Sequence, residues 1–218
     1  SGGSELETQG LMQLTGNVHP FFALSYHSYG EYLMYPYGCN DPDEKSALDE
    51  VAQGLNSILP NDSGVTGQYR TGPVWSTIYL ADGTSIDTQY GQYGAYAYVI
   101  EVNSSSQGFQ PDYATWRNIT VQRQRTAWKY FLDKTLDGAQ IRGTVTDAGT
   151  GLPLQATLNL QEVTFTHGES PRHADAKGHY HLLVHSSGTY HVSYSFPGHC
   201  TDTREVVVGT GPATADVV

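Results

Sequence analysis

Two side chains in this 218-residue chain stand where their types and surroundings could do chemistry, His27 and Glu101. His27 closes the run Phe21 to Tyr26, and Glu101 closes the run Tyr93 to Ile100, nearly all aromatic or small and apolar. Both runs read as strands with more than one buried face. An imidazole and a carboxylate at the carboxyl ends of such strands lie where open α/β sheets bind ligands. An imidazole there can hold a metal ion or move a proton, and a carboxylate can accept a proton. Taken singly, His27 reads more readily as a satisfied, partly buried histidine and Glu101 as a structural ion-pair partner. The motifs around them reverse that balance.

The elements that must position these residues alternate up to about Leu136. Asp41-Pro42 followed by Glu44 has the form of a capped helix start. Ala47, Leu48, Val51, Ala52, Leu55 and Ile58 then recur at helical spacing as a buried stripe, up to Pro60. A second helix is predicted from about Asp112 to Leu136, burying Trp116, Ile119, Ala127, Trp128, Phe131 and Leu132, with Gly138 just past its end. Strands alternating with helices predict an α/β domain with a covered, mixed sheet. From Ile141 the pattern changes to short strands divided by glycine-bearing turns: Ile141 to Asp147, Leu154 to Leu160, Gly178 to Val184, Gly188 to Ser195 and Arg204 to Val208. That spacing predicts a small β-sandwich. The expected domains are therefore 1–137 and 138–218.

Composition excludes some partners. With 22 acidic against 11 basic residues the net charge is −11, which repels phosphate backbones and anionic lipid. Nucleic acid and membrane surfaces are not expected partners, and no run reaches the roughly 18 apolar residues of a membrane span. The start, Ser1-Gly-Gly-Ser-Glu, has neither the basic nor the apolar region of a signal peptide. Cys39 and Cys200 fall in different expected domains and are not expected to pair. The 16 tyrosines, the few lysines and the sequons at Asn61, Asn103 and Asn118 lean towards a secreted or periplasmic protein.

Four groups of residues carry a resemblance: Tyr26-His-Ser-Tyr-Gly-Glu-Tyr-Leu-Met-Tyr-Pro-Tyr-Gly38, Ser76-Thr-Ile-Tyr79, Ser85-Ile-Asp87 and Tyr98-Val-Ile-Glu101. In type, order and spacing they resemble the second half of a zinc metallocarboxypeptidase catalytic domain. The likeness covers residues 1 to about 137. It begins at Ser4-Glu-Leu-Glu-Thr8, which is similar to the family's Ser-Glu-Pro-Glu-Thr and departs from it at Leu6.

The resemblance implies roles. His27 matches the third zinc ligand of a two-histidine, one-glutamate set with a water in the open position, a ligand set that one member of this family exemplifies. Glu101 matches the carboxylate that takes the proton of that water. Tyr79 matches the tyrosine of a mobile loop that closes over the substrate, and the flanking Ala81-Asp-Gly83 is suitably small and flexible. On its own Tyr79 reads equally as a surface aromatic. Ser28 is expected to set backbone geometry, Tyr29 to face the cleft, and Asp87 to act structurally behind the site. Gly38, Val74, Ile78, Ala81, Thr84, Ile86 and Val99 match the pocket for the terminal side chain. All are small or apolar, so a buried basic side chain would go unpaired and apolar or aromatic carboxyl termini are expected substrates. Asp82 is the acid that could admit basic residues.

The other half of such a site is not found in this sequence. The family's His-x-x-Glu ligand pair, its oxyanion-stabilising arginine and its asparagine-arginine clamp have no match. Lack of the electrostatic stabilisation alone costs a factor of about a hundred to a thousand. The chain by itself is therefore expected to be inactive, with the first half of the domain as its necessary partner and one zinc shared between them. Without that half, Phe21 to Tyr26 is expected to leave an open sheet edge.

After residue 137, Gly143-Thr-Val-Thr-Asp147, Gly151-Leu-Pro-Leu154, Asp175-Ala-Lys-Gly-His-Tyr180 and Gly188-Thr-Tyr190 resemble the transthyretin-like sandwich that follows the catalytic domain in one branch of the family. Bacterial regulatory-like domains are similar. Seven of the nine histidines lie between His167 and His199. His179 and His181, alternating along one strand, are expected on a solvated face rather than at a metal or pH-sensing site, and Asp147 and Asp175 are expected to shape turns. Two functions remain: a zinc carboxypeptidase completed by another segment, or a non-catalytic fragment that binds a partner through its sandwich.

Overall fold

The computed structural model describes residues 3–218. They form two compact units. One comprises Phe22–Tyr90 and Tyr96–Thr135; the other takes in the residues up to Phe21, Gly91–Ala95 and Leu136–Val218. The division expected at 137/138 falls between a helix ending at Asp137 and a strand beginning at Gln140.

The first unit is a four-stranded mixed sheet with helices. Its strands are β1 (Phe22–Ser28), β2 (Tyr32–Tyr35), β3 (Arg70–Pro73) and β4 (Tyr96–Val102), in the order β1-β4-β2-β3. β1 runs parallel to β4, β2 antiparallel to β4, and β3 parallel to β2. β4 is the central apolar strand, buried from Tyr96 to Ile100. β1 is an edge, only partly buried along its length, so the two-faced burial expected for both strands holds for β4 alone.

Helix α2 (Lys45–Asn56) buries Ala47, Leu48, Val51, Ala52 and Leu55 as its periodicity predicts. It starts after Glu44, whose buried carboxylate accepts the hydroxyls of Tyr90 and Tyr96 at 3.0 and 2.9 Å. It stops at Asn56, whose side chain pairs with the backbone N–H and carbonyl of Tyr69. Ile58 lies beyond that stop and is exposed, contrary to the stripe read from the sequence. The short α3 (Val74–Thr77) and α4 (Ser85–Tyr93) follow β3.

Helix α5 (Tyr113–Asp137) is capped by Asp112, which accepts the backbone N–H of Thr115 at 2.9 Å. Gln124, Ala127 and Phe131 form its buried line, and Phe131 packs against Phe22 and Tyr98. Trp128, Leu132 and Ile119 were expected inside but are 45%, 63% and 38% exposed. The apolar stripe of α5 is wider than the face that β1 and β4 cover.

The loop after β4 is anchored by a polar network. Asn103 donates to Asp62 and Thr120, Asp62 accepts the N–H of Ser104, and Arg123 pairs with Asp62 at 3.3 Å. Asn103 is thereby buried.

The second unit holds α1 (Leu6–Val18) and two sheets. One orders β10 (Asp202–Val208), β9 (Gly188–Ser195), β6 (Thr157–Leu160) and β7 (Arg172–His173); the other orders β11 (Pro212–Thr214), β5 (Gln140–Thr144) and β8 (His179–Leu183). Ile141, Tyr180 and Leu182 of one sheet and Leu158, Val192, Tyr194 and Val206 of the other share a core, which makes it a sandwich. Tyr180 and Tyr194 meet there hydroxyl to hydroxyl at 2.8 Å. The five predicted strands are present. β7 and β11, of two and three residues, are too short for a periodic signal. Asp147 and Asp175 each accept nearby backbone N–H groups and shape turns. Neither cysteine forms a disulfide, and no helix among the described residues is long and apolar enough to cross a membrane.

Candidate functional site

The register of β1 on β4 sets the site. Ser25 lies opposite Val99 and His27 opposite Glu101, two residues further along both strands. Strand side chains alternate, so these four share one face, with neighbouring backbones about 4.8 Å apart. β2 adds Met34, opposite Val99 on the other side of β4. A cavity of about 290 Å³ lies over this face, with His27 and Glu101 in its lining and Met34, Val74, Val99 and Ile86 among its apolar walls.

Most residues matched to the terminal side-chain pocket meet here. Val74, Ile78, Tyr79, Ala81, Thr84, Ile86 and Val99 all line the cavity, and Met34, Val74, Ile86, Ala97 and Val99 pack as one buried cluster beneath it. Tyr79 is 63% exposed at its edge, on the segment 79–84 between α3 and α4. Asp82 is exposed and outside the lining. Ser25, Met34 and Ser85 line the cavity and were missed. Period-two alternation from His27 and Glu101 would have found Ser25 and, through the antiparallel neighbour, Met34.

Four expected residues, Ser28, Tyr29, Gly38 and Asp87, stand apart from the lining. Tyr29 packs edge-on against Phe109, at 4.8 Å between ring centroids, and the Ser28 hydroxyl donates to the Phe109 carbonyl at 3.4 Å. Gly38 carries the wall instead of forming it. Its carbonyl accepts the N–H of Ala81 at 2.9 Å, and a Cβ on it would lie 1.9 Å from the Ala81 oxygen. Only glycine allows those two backbones to approach so closely.

Asp87 holds the same junction from behind. It accepts the N–H of Gly38 at 3.1 Å and of Thr84 at 3.2 Å, while the Thr84 hydroxyl accepts the N–H of Asp87 at 3.3 Å. That reciprocal pair is a capping box at the start of α4. Burial raises the Asp87 pKa above the ordinary carboxylate value, and the bonds from Thr84 and Gly38 pull it back.

Glu101 has the environment of a reactive carboxylate. Its Oε2 is buried and makes no hydrogen bond. Burial raises its pKa above the ordinary glutamate value, and the nearby His27 opposes the rise. A buried acceptor without a donor, beside an imidazole and over a cavity, suits a site that takes in water or a cation. Among the described residues, however, no three His, Cys, Asp or Glu side chains are grouped to hold a metal ion. His27 and Glu101 by themselves therefore do not make a metal site.

Residues 1–124 match the sequence model of the zinc carboxypeptidase family. Carboxypeptidase A2 of Rattus norvegicus is 37% identical over 108 residues, 47% of this chain and 25% of that protein. Carboxypeptidase A1 of Bos taurus is 34% identical over 107 residues, and zinc carboxypeptidase A 1 of Anopheles gambiae 32% over 126. This chain spans about a quarter of the length of these relatives (25%, 25% and 26%). A family match over more than half the chain, ending beyond Glu101 and covering every residue of the cavity, makes this chain a member of the zinc carboxypeptidase family.

Proposed function

We propose that this chain supplies one half of a zinc-dependent carboxypeptidase site, which cleaves the last peptide bond of peptides or proteins. The observation that carries this reading is the meeting of His27 and a hydrogen-bond-free Glu101 carboxylate on one sheet face above an apolar cavity. His27 would be one zinc ligand, the others coming from residues outside this chain. Zinc, when bound, lowers the pKa of a water molecule and polarises a carbonyl. Glu101 then serves as proton acceptor and carrier to the leaving amine, a role favoured by its lost hydration. Tyr79, exposed on its loop, closes over the substrate's terminal residue.

The cavity suits one apolar or aromatic side chain. Its only carboxylate is Glu101, and Asp82 lies outside the lining. Full-length enzyme assayed on peptides differing only in the last residue is expected to cleave terminal phenylalanine or leucine at least about a hundredfold faster, by kcat/KM, than terminal lysine. A ratio favouring lysine would overturn the assignment of the pocket.

The partner in this reading is the remaining part of the catalytic domain. Among the described residues β1 pairs with a strand on one side only, and Tyr26 on β1 interacts with Trp128 of α5, both partly exposed. An open edge beside exposed aromatics supports sheet continuation there. The net charge of −11 continues to argue against nucleic acid and membrane surfaces, and export remains part of the proposal.

A further inference from the structure

The sandwich unit contains a second cavity, of about 180 Å³, unrelated to the peptidase residues. Its lining brings together His19, just past α1, with Arg172 and His173 of β7, Asp175, and His179 and His181 of β8. Four of the chain's nine imidazoles thus converge on one hollow, in a protein of net charge −11. His179 and His181 are exposed, as expected of a solvated strand face, and line this hollow together with His19 and His173. We propose that this hollow binds a tetrahedral oxyanion, free or as the head of an ester, and holds it more tightly as pH falls.

The groups present fit that ligand. Arg172 is buried with its guanidinium against the Phe165 ring at 4.7 Å, and Gly94 lets it lie close, since a Cβ there would be 2.8 Å from the Arg172 Cδ. A guanidinium and several imidazole N–H groups are the donors that oxyanion sites use. No three acidic, thiol or imidazole ligands are grouped for a metal among the described residues, so a cation site is not the reading favoured.

The charges around the hollow set its pH dependence. Asp175 opposes an anion, but its carboxylate accepts the N–H groups of Lys177 and His179 at 2.8 Å each and lies 3.6 Å from the His179 ring. Lost hydration and then His19 hold His173 below the ordinary histidine pKa; lost hydration, then Arg142 of β5 and His179, do the same for His181, which Asp175 partly offsets. His181 also stacks on Phe21 and meets Gln140 of β5 at 3.2 Å, and His173 meets the Thr157 hydroxyl of β6 at 3.3 Å. Tyr93 and Tyr180 complete the titratable lining, and burial raises the Tyr180 pKa well above the ordinary tyrosine value. Depressed pKa values mean that the empty hollow resists protonation; a bound anion relieves that resistance, so binding takes up protons.

The test is a sulfate titration of the full chain, followed by the histidine ring signals in NMR, with chloride at equal ionic strength as control. Sulfate keeps its charge across the range, so any pH effect belongs to the protein. Affinity is expected to be about tenfold higher near pH 5.5 than near pH 7.5, with the largest shifts at His19, His173, His179 and His181. The exposed substitution His173→Gln should weaken binding about fivefold at the lower pH with the fold intact by circular dichroism, and His179→Gln guards against an effect peculiar to one site. Equal affinity at both pH values, uniform shifts at all histidines including His191 and His199, or no loss in both variants would overturn the proposal. Tighter binding of glycerol phosphate than of inorganic phosphate would assign the site to an esterified anion; equal affinity would assign it to the free ion.

Discussion

Glu101→Gln, made in the full-length polypeptide, is expected to lower kcat about a hundred to ten thousandfold, the range for loss of a positioned proton acceptor. KM should change little, because Glu101 sits at the polar end of a cavity whose walls are otherwise formed largely by Met34, Val74, Val99 and Ile86. The amide is nearly isosteric and removes basicity without removing bulk. The buried Oε2 makes no hydrogen bond, so no structural partner is lost with its charge. Loss of kcat with unchanged thermal stability and zinc content is the expected signature. A variant within about threefold of wild type would mean that Glu101 is not the acceptor.

Gly38→Ala is expected to injure stability and substrate binding together. The added methyl would lie 1.9 Å from the Ala81 oxygen and 2.6 Å from its carbonyl carbon, backbone atoms that cannot rotate away. Relief requires moving segment 79–84, at the expense of the Ala81 to Gly38 hydrogen bond and the Asp87 contact to Gly38. Overpacking of this kind costs about 1 to 3 kcal/mol. The displaced segment carries Tyr79, so KM should rise about tenfold with kcat less affected. Thermal unfolding and steady-state kinetics on the purified variant check both parts.

How much of this was legible in the sequence differs by element. α2 announced itself by its stripe, and β4 by an apolar run that ends in Glu101. β9 has the bounds its turn residues predict. The cavity lining was legible only through family resemblance, because Val74, Ile78, Ala81 and Ile86 carry no periodic signal that ties them to His27. Register brought them together, and register depends on pairings between strands remote in sequence. Ile58 went wrong because α2 stops at Asn56, before the stripe read from the sequence ends; the outer face of α5 went wrong because helical periodicity tells which residues share a face, not how much of that face a neighbour covers. Gly38 was recognised by position but not by role. Its meaning is the approach of Ala81, which is visible only in three dimensions.

The central claim is that His27 is one ligand of a zinc site whose remaining ligands lie outside residues 1–218. The most direct measurement is zinc stoichiometry by native mass spectrometry, on the full-length polypeptide and on its His27→Ala variant. About one zinc in the wild type and a loss of stoichiometric zinc in the variant is the predicted result, as expected when one of three protein ligands is removed. Full zinc retention by His27→Ala, or no zinc in the wild type, would contradict the account and leave a non-catalytic binding fragment as the better description.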